Sequence, residues 1–250
     1  MTDVARVAVV TFPGSNDDGD ARLALESLGA DAVPVWHTER TLPTDVGGVV
    51  LPGGFSYGDY LRCGAIARVA PVMDAIRAFA ADGGPVLGIC NGFQILCEAG
   101  LLPGVLRANR QLEFVCADVA VTVESTATPF TAGCAVGQRL LIPVKHGEGC
   151  WTADDALAAR VTERDQVVLR YVDEVNGSRE RIAGLANEEG NVLGLMPHPE
   201  HAVDPLLGPT GGAVRRGPVT LRVRDLERLR EALAGAPGLR RALKGGAMAR

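Results

Sequence analysis

The stretch Pro85-Val86-Leu87-Gly88-Ile89-Cys90-Asn91-Gly92-Phe93-Gln94-Ile95-Leu96-Cys97-Glu98 decides how the chain is read. Pro85 to Ile89 is a short apolar run, the pattern of a buried strand. Phe93 to Glu98 is helix-like and stops at Gly100. Between them stands a sharp turn with Cys90 at its apex. Such an apex is strained, so small residues are wanted at the second position on either side. Gly88 and Gly92 supply them. The turn holds the sulfur clear of the backbone at a helix N-terminus, where the dipole and free N–H groups favour a thiolate. Taken alone, G-x-C-x-G fits a buried cysteine in a glycine-rich strand end equally well.

Working back toward the N-terminus, Ala5 to Thr11 is a β-branched run and a first buried strand, broken by Phe12-Pro13-Gly14-Ser15-Asn16. Asp17 and Asp18 open a helix to about Leu28, their charges suiting its dipole. Ala32 to Trp36 and Val46 to Leu51 read as strands, the latter ending at Pro52-Gly53-Gly54. Pro71 opens a helix to about Ala81. The alternation predicts an α/β fold: a mostly parallel open sheet with helices on both faces. Ligands bind such sheets at the carboxyl ends of the strands. The loops at Phe12, Pro52 and Cys90 all leave from that edge.

Beyond the elbow, strand-like runs dominate: Val115 to Val123, Leu140 to Val144, Val167 to Val172 and Val192 to Met196. These read as extra antiparallel strands within the same domain, which is taken to span residues 1–206. Residues 207–250 form a Gly/Pro connector and a basic tail. After Pro218, Val219, Val223, Leu226, Leu229 and Leu233 make one helical stripe between arginines, so an amphipathic helix is expected there.

The chain has 250 residues, 47% of them hydrophobic and 22% charged, long enough for a real core. No run reaches the ~20 apolar residues of a membrane span. The N-terminus has no secretory pattern, so a cytoplasmic location is expected. Six cysteines occur without a C-x-x-C pair, which disfavours zinc and dithiol chemistry and suggests that most are small buried residues. Residues 213–250 carry ten Lys+Arg against three Asp+Glu, leaving 15 against 27 for the rest. An acidic body argues against nucleic acid as the main ligand, and none is expected.

A cysteine nucleophile needs a base and an oxyanion hole. Of four histidines, His198 follows the strand-like run Val192 to Met196 and precedes Pro199-Glu200. Pro199 favours extended backbone at His198, and residues i and i+2 of an extended chain share a side. Glu200 is thus placed to hold one ring nitrogen and leave the other for Cys90, a nucleophile–base–orienter set. Pro52-Gly53-Gly54 offers a turn whose N–H, with that of Asn91, suits an oxyanion.

Gly88 to Gln94, with His198-Pro199-Glu200 and the Pro52-Gly53-Gly54 turn, resembles the class I (triad) glutamine amidotransferases. Gly53 to Arg62, Phe12 to Asn16 and His146-Gly147-Glu148-Gly149 narrow the resemblance to the glutaminase subunits of phosphoribosylformylglycinamidine synthase, of purine biosynthesis. It spans roughly residues 5 to 206 and departs after Ala202, where the long arginine-rich tail replaces a short terminal helix.

The resemblance implies that Cys90 is the nucleophile, His198 the acid/base and Glu200 its orienter. Gly54 and Asn91 would supply oxyanion N–H groups. Gln94 and Phe55 would hold the glutamine, and His146 to Gly149 would be a non-catalytic loop near the site and partner face. It also implies a synthetase (large) subunit as partner, with a third small subunit. Neither metal nor cofactor is implied on this chain, and ATP and Mg²⁺ would sit on the synthetase. The alternatives are a glutaminase subunit of another class I amidotransferase, a cysteine hydrolase of related fold, or a catalytically silent scaffold.

Overall fold

A computed structural model of the chain describes residues 4–203. The basic amphipathic tail expected after Pro218 lies outside the described residues. The strands are β1 (Arg6–Thr11), β2 (Asp31–Trp36), β3 (Gly48–Leu51), β4 (Val86–Ile89), β5 (Val105–Arg107), β6 (Val115–Val123), β7 (Arg139–His146), β8 (Cys150–Thr152), β9 (Val167–Tyr171), β10 (Ile182–Ala186) and β11 (Val192–Leu195). The helices are α1 (Asp18–Ser27), α2 (Val72–Ala81), α3 (Asn91–Glu98) and α4 (Asp155–Glu163). Among the described residues no helix is long and apolar enough to cross a membrane.

Nine strands form one sheet in the order β2-β1-β3-β4-β11-β10-β9-β6-β7, and β5 pairs with β8 in a separate ribbon. The first five strands are mutually parallel. The remaining pairings are antiparallel. The mostly parallel open sheet with added antiparallel strands matches the sequence expectation. Right-handed crossovers leave in opposite directions from β1 and β3, which puts α1 on one face and α2 with α3 on the other. Parallel strands covered on both faces are apolar throughout; β3, β4 and β11 are buried at every position.

The order reverses at β1, which lies between β2 and β3, and there a crevice opens at the carboxyl edge. Four neighbouring strands, β1, β3, β4 and β11, deliver their following loops to that edge. The antiparallel half contributes as well. With strands roughly 4.8 Å apart, a flat sheet would hold β7 about 19 Å from β11, the strand that His198 follows. Instead the His198 N–H donates to the Pro143 carbonyl of β7 at 2.8 Å. The far half of the sheet therefore coils over the carboxyl edge.

Four features differ from the sequence reading. The run Val192–Leu195, expected among the antiparallel additions, pairs parallel with β4 and completes the parallel half, because it lies beside the elbow strand and runs in its direction. The β5–β8 ribbon, α4 and β10 are additional. Asp154 caps α4 by accepting from the Leu157 N–H at 2.7 Å, a local signal. The expectation of mostly buried cysteines holds for Cys63, Cys90 and Cys97, whereas Cys116 is exposed and Cys134 and Cys150 are intermediate. Cys116 sits at the solvent-facing start of β6, where burial demands no apolar side chain.

Candidate active site

Cys90 sits at φ 50°, ψ −104°, between the end of β4 and the start of α3. A non-glycine residue there is strained, and the surroundings over-determine it. Its N–H donates to the Leu195 carbonyl at 2.8 Å. A Cβ on Gly92 would collide with the Leu51 carbonyl, and one on Gly88 would lie 2.7 Å from the Gly92 backbone. Both glycines are needed because α3 turns back directly onto β3 and β4. The sulfur lies 3.7 Å from the Lys145 carbonyl oxygen.

His198 is 1% exposed. Its Nδ1 bonds Glu200 Oε1 at 2.6 Å. Nε2 has no conventional partner and is left to the Cys90 sulfur, which acts on the ring. Burial alone would lower the His198 pKa; the charges of Glu200 and Cys90 outweigh it and hold the ring protonated well above the ordinary histidine range. The route to this contact differs from the extended geometry expected. His198 has φ −105° and ψ 86°, and Pro199–Ala202 forms a 3₁₀ turn. Pro199 begins that turn with a preset φ, and the turn swings Glu200 back under the ring.

Asp17 belongs to the same cluster, although its sequence position suggests only a helix start. It is 3% exposed. Its Oδ2 lies 3.7 Å from His198 Nδ1, its Oδ1 bonds Lys145 Nζ, and His201 Nε2 is 3.6 Å away. Burial alone would raise its pKa, but His201, Lys145 and His198 bring it down to about 2. A Cβ on Gly53 would overlap Asp17 Oδ2 and lie 2.7 Å from His198 Cε1. The glycine therefore lets both side chains close over the β3 turn. Asp17, His198, Glu200 and His201 bring ligand-type atoms within 4.8 Å of one another. That cluster already contains a cation, the Lys145 ammonium.

Beside Cys90 is a cavity of about 230 Å³, lined by Gly54, Phe55, Gln94, His146 and Glu148 among others. It is smaller than the roughly 300–1,000 Å³ of drug-sized sites and suits an amino-acid-sized ligand. The Asn91 N–H is in the first turn of α3 and makes no intrahelical bond. Gly54, at φ 142°, packs within 2.7 Å of Gly14 and Ser15 where a Cβ would stand. The Phe12 to Asn16 stretch thus backs the turn, through an isolated bridge between Ser15 and Gly54.

The Asn91 side chain, unread in the sequence, is fully engaged. It accepts from the Ser56 N–H at 3.1 Å and donates to Gln94 Oε1 at 2.8 Å. Gln94 Nε2 donates to the Glu148 carbonyl at 2.6 Å. Gln94 therefore ties α3 to the 146–149 loop as well as lining the cavity.

Asn109 organises that loop from within. Its Nδ2 donates to the Glu113 and His146 carbonyls, and its Oδ1 accepts from the Gly149 N–H and faces His146 Nδ1 at 3.1 Å. His146 therefore carries its proton on Nδ1. Burial, then the charge of His198, lowers its pKa to about 4. A neutral His146 is no proton donor near neutral pH.

A strained cysteine, a buried histidine–glutamate pair and free N–H groups around one cavity are equipped for acyl transfer through sulfur. Residues 4–211 match the family described as the CobB/CobQ-like glutamine amidotransferase domain. The chain belongs to this glutamine amidotransferase family. Among its relatives, the phosphoribosylformylglycinamidine synthase subunit PurQ of Rubrobacter xylanophilus is 59% identical over 203 residues, covering 81% of this chain and 92% of that protein. The subunit of the same name from Bradyrhizobium diazoefficiens is 53% identical over 217 residues, covering 83% and 93%. Among solved structures, PurLQS from Thermotoga maritima matches with a TM-score of 0.76 and 44% identity over 92% of this chain and 98% of that one. The residues that this family member brings together around the Cys90 elbow and its cavity span Asp17 to Glu200.

Proposed function

We propose that this chain is the glutaminase subunit of phosphoribosylformylglycinamidine synthase and that Cys90, His198 and Glu200 carry its chemistry. The observation that carries this reading is the Cys90 elbow facing a histidine whose Nδ1 is held by Glu200 at 2.6 Å. The Cys90 thiolate attacks the side-chain carboxamide carbon of glutamine. The N–H groups of Asn91 and Gly54 receive the oxyanion. His198, protonated on Nε2, passes that proton to the departing nitrogen; the C–N bond breaks and ammonia leaves. His198 then takes a proton from water, which attacks the thioester and releases glutamate. Phe55 and Gln94 form part of the glutamine pocket.

Near neutral pH free ammonia becomes ammonium, which is not nucleophilic, so the product is handed to a synthetase subunit. A third small subunit joins them, as the similarity to the PurLQS chain supports. The synthetase amidates formylglycinamide ribonucleotide and holds the ATP and Mg²⁺; this chain supplies no metal or cofactor. A cytoplasmic location accords with the free thiols of Cys63, Cys90, Cys97, Cys116 and Cys150. The test is Cys90→Ala in the assembled complex. Glutamine-dependent amidation is expected to vanish while ammonia-dependent amidation survives. Equal loss of both reactions would refute the role given to Cys90.

A further inference from the structure

The loop after β3 has an unusual backbone. Within the turn Ser56–Asp59, Tyr57 sits at φ 55°, ψ 28° and Gly58 at φ 71°. Asp59 and Leu61 follow at φ 53° and 73°. Left-handed backbone is costly for a side chain as bulky as tyrosine, and it persists only where the surroundings over-determine it. Part of that determination comes from backbone N–H groups. The Ser56 N–H donates to Asn91 Oδ1 at 3.1 Å, and the Tyr57 N–H donates to the Pro13 carbonyl at 2.6 Å. A further tie is made by a side chain: the Tyr57 hydroxyl lies 2.6 Å from His37 Nδ1.

His37 is a fixed post for that tie. It follows β2, and its N–H donates to the Thr11 carbonyl of β1 at 3.0 Å. Its own carbonyl accepts from the Val72 N–H at the start of α2, at 3.2 Å. Its ring meets that of Trp36 edge-on at 4.8 Å and packs 6.4 Å from the ring of buried Phe12. The Tyr57 ring stands nearly perpendicular to it, at 88° and 5.4 Å. Burial lowers the His37 pKa and raises that of Tyr57, so both side chains are neutral near neutral pH. The phenol then donates to Nδ1, and the imidazole proton sits on Nε2. Phe55 and Asp59, on either side of Tyr57 in the chain, line the cavity beside Cys90, whereas Tyr57 and His37 do not.

We propose that Tyr57 and His37 are a positioning pair for the glutaminase reaction: their hydrogen bond keeps the Ser56–Asp59 turn in its left-handed form and so fixes the wall that Phe55 and Asp59 present to the cavity. This inference rests on the glutaminase reading above. The pair acts on substrate binding more than on turnover. Gly54, with its oxyanion N–H, is fixed separately, through the bridge to Ser15 and the bond from the Phe55 N–H to the Gly14 carbonyl at 2.8 Å. Cys90 is held by its own elbow. Without the hydroxyl, the turn keeps its backbone ties alone and spends part of its time in relaxed forms. Glutamine then binds only the remaining competent fraction, and its apparent affinity falls in proportion.

The test uses the full chain assembled with its synthetase. It reads glutamate release together with hydrogen exchange at the Tyr57 and Gly58 amides. Tyr57→Phe removes only the hydroxyl and keeps the ring. It should raise the glutamine KM about three- to tenfold, the range of one neutral hydrogen bond, leave kcat nearly unchanged, and speed exchange at both amides. His37→Ala should do the same. The double variant should be no worse than either single one, because both remove one shared interaction. His37→Asn, whose Oδ1 stands near the place of Nδ1, should restore most of the wild-type KM. Alkylation of Cys90 by iodoacetamide should keep its wild-type rate in Tyr57→Phe. An unchanged KM and unchanged exchange in Tyr57→Phe overturn the pair, as do KM effects that multiply in the double variant or a loss carried by kcat alone. If His37→Ala does not fold, Tyr57→Phe and His37→Asn remain decisive. A wild-type complex that releases no glutamate would instead overturn the glutaminase reading, and amide exchange would still decide whether the pair holds the turn.

Discussion

Replacing Glu200 by glutamine probes the coupling on which the proposed chemistry depends. The Glu200 and His198 side chains are 3% and 1% exposed and 2.6 Å apart, so solvent screens their interaction little. Asp17 stands 3.7 Å from the same nitrogen, but its charge is opposed by Lys145 and cannot fully substitute. A hydrogen bond to a charged group contributes about 1.5–3 kcal/mol. At about 1.4 kcal/mol per decade, Glu200→Gln should reduce kcat/KM for glutamine roughly 10- to 150-fold. The pH profile gives the sharper readout. Glu200 raises the His198 pKa, so its loss lets the imidazolium deprotonate at lower pH. The alkaline limb of glutamate release should move down by about one to two pH units. The assay is glutamate release by the assembled complex across the neutral and alkaline range, with ammonia-dependent amidation as the control for the synthetase. A uniform loss at every pH with an unmoved limb would refute the coupling, as would a variant with full activity.

Gly92→Ala should destabilise the chain by about 1–3 kcal/mol and slow Cys90 alkylation, because its Cβ would meet the Leu51 carbonyl; thermal melting and iodoacetamide labelling check both effects. Asn109→Ala strips partners from the His146 and Glu113 carbonyls and the Gly149 N–H. It should cost roughly 2–4 kcal/mol by denaturant unfolding and raise the glutamine KM. Acid stability follows chiefly from two strongly depressed pKa values, with burial also lowering that of His37. His146, at about 4 in the fold against 6.5, is buried neutral, so the unfolded chain binds more protons and stability falls as pH drops from about 6.5 toward 4, by up to about 3 kcal/mol. Asp17, at about 2 against 3.8, adds a second loss as pH falls from about 3.8 toward 2. Melting curves of His146→Gln should lack most of the first loss, leaving the part due to His37, and keep the second.

Much of the fold was legible because its signals are local. The parallel half announces itself through short apolar strands, helix starts and Gly-rich loops at strand ends. The ribbon of β5 and β8 was not legible, since three-residue strands carry too little pattern. Strand β10 is apolar throughout, but with a run of only five residues it has no period to distinguish it from a loop. Helix α4 had a usable signal, the aspartate cap ahead of Asp155. The His198–Glu200 contact was anticipated, yet by another path: Pro199 sets a 3₁₀ turn where extended chain was expected. Asn91 was read for its N–H alone: Gln94, three residues on along α3, was a usable local partner, but nothing near Asn91 in sequence shows that Ser56 and Asp59 converge on its side chain.

By itself the sequence determined the elbow. Its demands are steric and fall within five residues: a positive φ at Cys90 and two glycines where neighbouring backbone leaves no room for a Cβ. It likewise determined four of the five parallel strands and the edge at which chemistry gathers. Only the tertiary structure decided what surrounds the sulfur. Asp17 and Lys145 are 128 residues apart in sequence, and each alone reads as an ordinary surface charge. They meet because the antiparallel half of the sheet coils over the carboxyl edge and carries the end of β7 to the loop after β1. The same coiling sets Glu148 and His146 against Asn91 and Gln94 at the cavity wall. Burial and pairing of charge depend on that long-range geometry, which local patterns of polarity do not encode.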